Sequence, residues 1–328
     1  MAEMTARGVA KVNVLIQAGN CSLILLPKLG GKIASLRVAS SHVKDYELLQ
    51  QPLAHYAPRT RTMTFDEGDA GGWDECLPSV SSCSVETAAG PATIPDHGDL
   101  WRVVWRPMVS SANSATFRGE CFSLPLRLER TVTLTEAAKG WKLRLDYKVT
   151  NTGAYAAPWS WSAHPLFAAE AGDRILLPDS IRELRLESSV GERLGRRGEP
   201  VSWPMATLAD GSQTDLSVAQ SPASCIAEKL FAGPLTVREN WCALERPQAG
   251  VRIKVRFDPA ATPYLGLWIC FGGWPAGPGP KQTCVALEPS TAGADSLAET
   301  GPWSRVMGPG DCVRWPLDVE IETLEGAD

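Results

Sequence analysis

The chain has 328 residues, 44% of them hydrophobic and 21% charged, which is enough apolar material for a large core and excludes long disorder. Its net charge of -5, with no clustered Lys/Arg stripe, excludes the basic face that nucleic-acid binding needs. No stretch reaches the roughly 18 apolar residues of a membrane span, and Met1-Ala-Glu-Met-Thr-Ala-Arg-Gly8 lacks the apolar centre of an export signal, so a soluble, cytoplasmic protein is expected.

Along the chain, 29 glycines and 25 prolines leave few places for helices, whereas period-2 alternation recurs. Turn signals come early, at Gly30-Gly31 and Gly71-Gly72. From Leu124 to Leu134 the even positions are apolar except Arg130, and Trp141-Lys-Leu-Arg-Leu-Asp-Tyr-Lys-Val149 alternates more cleanly. The turn Asn151-Thr-Gly153 follows. Residues 171–240 are rich in charge and turn residues, and irregular excursions are expected there rather than a second domain. Val251-Arg-Ile-Lys-Val-Arg-Phe257 and Val313-Arg-Trp-Pro-Leu-Asp-Val-Glu-Ile321 repeat the alternation. One apolar and one wet face per strand means antiparallel sheets. The expected fold class is all-β, a large antiparallel β-sandwich forming one domain over 1–328.

Nine cysteines are dispersed and show no Cys-x-x-Cys spacing, so they read as small buried thiols of a reducing compartment, and no zinc site is expected.

Two segments carry the chemistry. In Trp159-Ser-Trp-Ser-Ala-His164-Pro165 a histidine stands beside a proline, and in Cys284-Val-Ala-Leu-Glu288-Pro-Ser-Thr-Ala-Gly293 a glutamate does. Histidine titrates near neutrality, and a glutamate buried in an apolar strand is raised toward it, so the two suit the roles of acid and base. Read blandly, they are a satisfied core histidine and an edge glutamate held by turn amides. His97, in Ile94-Pro-Asp-His-Gly-Asp99, has an acid on either side, and Asp96 or Asp99 could orient its ring. Trp73-Asp74-Glu75 follows a flexible turn and offers two carboxylates as hydrogen-bond acceptors. Trp73, Trp101, Trp159, Trp161 and Trp274 flank these motifs, and core packing is the ordinary use of such rings.

Asp96-His97-Gly98, the stretch from Asn151 through His164-Pro165-Leu-Phe167, and Glu288-Pro289-Ser-Thr-Ala-Gly293 fall in one order, after an opening Leu26-Pro27-Lys-Leu-Gly-Gly31. In that order they resemble the aldose 1-epimerase (galactose mutarotase-like) family over nearly the whole chain, and Gly72-Trp-Asp-Glu75 resembles a bacterial subgroup of unassigned substrate. The resemblance implies a galactose mutarotase-like β-supersandwich, a small-molecule carbohydrate substrate and no metal or organic cofactor. It implies that Glu288 takes the proton of the anomeric hydroxyl, that His164 protonates the ring oxygen, and that His97 hydrogen-bonds the sugar nearby. Asp74, Glu75, Arg61, Trp73, Trp161 and Lys229 are the expected substrate contacts. The galactose enzymes carry an arginine before the first histidine and an aspartate between the second histidine and the glutamate. Here Arg59, Arg61, Lys229 and Lys281 are the cations available, which opens a second reading, epimerisation of a phosphorylated, uronic or sulfonated sugar. Non-catalytic carbohydrate binding is a third, and the oligomeric state stays open.

Overall fold

The computed structural model describes residues 13–39, 45–67 and 70–324; the amino-terminal stretch 1–8, which lacks the apolar centre of an export signal, lies outside them. Two antiparallel sheets dominate, one of eleven strands and one of eight. The helical segments among the described residues are single 3-10 turns of three residues, and none is long and apolar enough to cross a membrane.

The four strands legible from alternation are consecutive neighbours in the eight-stranded sheet: Val251–Phe257, Cys312–Thr323, Gly140–Asn151 and Leu126–Ala137. Each presents alternate residues to one core that draws side chains from both sheets. Arg130 breaks the pattern in Leu126–Ala137 because it points into that core. Its guanidinium sits 2.8 Å from Glu75, and both side chains are fully buried. The charge is tolerated there because it is paired and hydrogen-bonded.

The eleven-stranded sheet is built differently. Its central strands Trp73–Cys76, Ser162–Ala168, Thr283–Ser290, Tyr264–Phe271 and Ile226–Ala232 lie side by side in that order. They are buried on both faces, since the outward side chains pack under Phe65, Ala70 and Trp101 as a second apolar cluster. The stretch 171–240 departs from expectation here. Glu183–Ser189 and Ile226–Ala232 are strands of this same sheet, and all seven residues of Ile226–Ala232 are buried, Glu228 and Lys229 included. A strand covered on both faces shows no alternation, and its two charges resemble a loop in the sequence.

All nine cysteines are unpaired, and the expectation of buried thiols holds for five of them. Cys225 and Cys312 are exposed, while Cys83 and Cys121 are partly so.

Candidate active site

The outward face of the larger sheet floors a pocket of about 400 Å³ lined by His97, His164, Lys229, Glu288 and Asp295, with Trp268 and Trp274 among its walls. Its size is that of a small-molecule site. Strand register creates the central pair. Ser162 lies opposite Ser290 and Leu166 opposite Ala286, so His164 and Glu288, midway between, face each other on the same side of neighbouring strands. His164 Nε2 is 3.9 Å from Glu288 Oε1.

Neither bland reading describes these two groups. His164 Nδ1 and Glu288 Oε1 are buried without a hydrogen-bond partner, and the turn amides leave Glu288 to Lys229, whose Nζ donates to Oε2. Burial, reinforced by His97, Lys229 and Lys32, holds the His164 imidazole well below its ordinary value of 6.5. Burial also pushes the Glu288 carboxyl up, with Lys229 opposing and the charge of Asp295 adding to the rise. Lys229 is raised as well. Burial would lower it, but Asp295 and Glu288 raise it, so it stays charged.

His97 reaches the pocket from a loop. It adopts a left-handed φ of 58° and precedes Gly98 at 66°, and its backbone N–H donates to Val80. Asp96, rather than Asp99, orients the ring: Asp96 Oδ2 lies 2.9 Å from His97 Nδ1. Burial works against the Asp96 anion, yet the bond to His97 holds its carboxyl below the usual range. Asp99 instead accepts from Phe122 N, Ser123 N and Ser123 Oγ. Phe65 stacks on His97 with centroids 3.8 Å apart, and His97 meets His164 edge-on at 5.0 Å. Arg102 ties the loop down by donating to the carbonyls of Met63, Asp96 and Gly98.

Of the expected substrate contacts, Lys229 alone lines the pocket. Period-2 geometry separates the others. Glu75 and Trp73 point to the inter-sheet core, where Glu75 accepts from Arg130, from Tyr147 at 2.9 Å and from Trp161 Nε1 at 3.0 Å. Trp161 is thereby a core residue, packed on Tyr147 and Trp315. Asp74 lies across from His164 in register but is buried against Lys32. Arg61 lies over the ring of Phe122 and Arg59 over Trp101, while Lys281 donates to the carbonyls of Pro275 and Gly277.

Sequence reasoning passed over Asp295, Phe65 and Trp268. Asp295 stands two residues beyond Gly293, close enough to the glutamate motif to have been joined to it. Phe65 and Trp268 carry no local signal, since only folding brings them to the pocket.

No protein-family model and no curated protein matches the sequence. Solved structures do. The Slr1438 protein of Synechocystis sp. PCC 6803 superposes with a TM-score of 0.69 at 16% identity, covering 98% of this chain and 100% of that one. A galactose mutarotase-like protein of Lactobacillus casei gives 0.65 at 18%, covering 94% and 100%. The chain has the galactose mutarotase-like fold. A protein of Escherichia coli K12 provisionally assigned as an aldose 1-epimerase shares that fold, with a TM-score of 0.67 at 18% identity over 95% of this chain and 99% of that one. In the galactose mutarotase-like fold of this chain, the pocket lies on the outward face of the larger sheet, and at such identities the likeness concerns architecture.

Proposed function

We propose that the protein is an aldose 1-epimerase, an isomerase that interconverts the α and β anomers of a free sugar. The observation that carries this reading is the facing pair His164 and Glu288, 3.9 Å apart on a pocket floor and each with an unpartnered buried atom. A cyclic hemiacetal opens when O1 loses a proton and the ring oxygen gains one, and these two oxygens share the anomeric carbon. A base and an acid on adjacent strands match that demand.

Glu288 is the general base for O1–H, and its raised pKa makes it a stronger base than a free glutamate. His164 is the general acid at the ring oxygen. Burial depresses its pKa, so its imidazolium, once formed, gives up a proton more readily than free histidine does. His97, oriented by Asp96, hydrogen-bonds the sugar near the ring oxygen. Rotation of the open aldehyde and reclosure, with the proton transfers reversed, yields either anomer.

A neutral sugar fits the pocket better than an anionic one. Asp66, Asp96, Asp295 and Glu288 line it against one lysine, and that lysine is already held by carboxylates. A phosphate, uronate or sulfonate would enter against like charge. The test is a polarimetric or NMR time course on freshly dissolved single anomers of neutral sugars and their phosphates. Acceleration confined to neutral sugars is expected. No acceleration on any sugar, with binding retained, would favour a non-catalytic carbohydrate-binding protein.

A further inference from the structure

Lys229 belongs to Ile226–Ala232 and Glu288 to Thr283–Ser290, yet these strands are not neighbours, because Tyr264–Phe271 runs between them. The lysine therefore has to cross a whole strand to reach the glutamate. Gly266 makes the crossing possible. It lies directly opposite Glu288 in register, and a Cβ there would come within 3.1 Å of Glu288 Oε2 and 3.3 Å of Lys229 Nζ. Beyond the crossing, Lys229 Nζ is 3.6 Å from Asp295 Oδ1. Asp295 is itself fastened, its carbonyl accepting from Val80 N, Ser81 N and Ser79 Oγ.

One buried ammonium is thus shared by two carboxylates. A lysine paired with Glu288 alone would hold it ionised and make it a feeble base. No cation at all would leave a fully buried carboxyl protonated. Sharing sets an intermediate condition, since Asp295 draws off part of the lysine's field and adds its own repulsion.

We propose that Lys229 and Asp295 are positioning residues that together set the proton affinity of Glu288, Lys229 lowering it and Asp295 raising it, through a contact that Gly266 admits. This rests on the reading of Glu288 as the base. The other titratable groups around Glu288 are His164 from Ser162–Ala168, His97 from its loop, Cys76 from Trp73–Cys76 and Cys284 on its own strand. Burial raises the Cys76 thiol well above the ordinary range, and the hydrogen bond with Cys270, with burial adding to it, does the same for Cys284, so both stay neutral while Glu288 titrates.

The test is a 13C NMR titration of the full chain labelled at glutamate Cδ, with Glu288→Gln identifying the resonance, alongside the pH dependence of anomer exchange. Asp295→Asn is expected to move the Glu288 midpoint down, and Lys229→Met to move it up, each by about half a pH unit or more. Lys229→Arg should stay near the parent. Gly266→Ala keeps both charges but crowds the crossing, and should follow Lys229→Met with a smaller shift; together with Asp295→Asn it decides the matter if Lys229→Met does not fold. The acid limb of the rate profile should move with each midpoint, which a purely structural role would not produce. An unmoved or raised midpoint in Asp295→Asn overturns the proposal. Shifted midpoints in a protein that exchanges no anomers would uphold the triad and sink the epimerase reading.

Discussion

His164 Nε2 stands 3.9 Å from Glu288 Oε1, too far for a hydrogen bond and near enough for both to reach one hemiacetal centre. Register puts them there, and burial drives their proton affinities toward each other from opposite sides.

Replacing Glu288 by Gln should slow anomer exchange by about 10²- to 10⁴-fold, the usual contribution of one positioned proton-transfer group. The fold should survive, because Asp295 still neutralises Lys229. Polarimetry with a thermal melt checks both halves, and full activity in the variant would remove Glu288 from the mechanism.

Acid should destabilise the protein partly through His164. Its folded pKa lies well below 6.5, its value outside the fold, so from 6.5 downward the unfolded chain binds the extra proton and the folded one does not. Stability therefore falls as pH drops below 6.5. The raised pKa of Glu288 acts in the opposite sense, favouring the folded state as pH falls toward 4.5. In His164→Gln the loss of melting temperature between neutral pH and about pH 5 should be smaller than in the parent. An equal or larger loss would contradict the assignment.

The buried Glu75 and Arg130 pair supports the core instead of the pocket. Glu75→Gln leaves a buried guanidinium without its counter-charge and should cost about 3–5 kcal/mol in denaturant unfolding. Adding Arg130→Met should restore much of that stability, since the orphaned charge is gone. A double variant no more stable than Glu75→Gln would show that Arg130 matters for some other reason, such as its bond to the Gly31 carbonyl.

Gly98 holds the His97 loop against Leu77. Its φ of 66° and a notional Cβ only 2.4 Å from the Leu77 carbonyl oxygen leave no room for a side chain. Gly98→Ala should cost about 1–3 kcal/mol and raise KM for the sugar as His97 shifts. Unchanged KM and melting temperature would mean that the loop adapts freely.

Alternation in Leu126–Ala137, Gly140–Asn151, Val251–Phe257 and Cys312–Thr323 determined the all-β class, because each strand has one dry and one wet face and that asymmetry is written residue by residue. The order of His97, His164 and Glu288 likewise selected the groups that meet in the pocket. Tertiary structure alone decided the rest. Asp74 and Glu75 are adjacent, so they must point to opposite faces of the sheet, and the sequence does not say which face holds the pocket. Lys229 reads from the sequence as a cation free to meet a substrate, and only the fold sets it in a doubly buried strand against Glu288 and Asp295, across the gap at Gly266. Local pattern records burial on one side of a strand; a charge that is stable only because distant partners meet it leaves no such record.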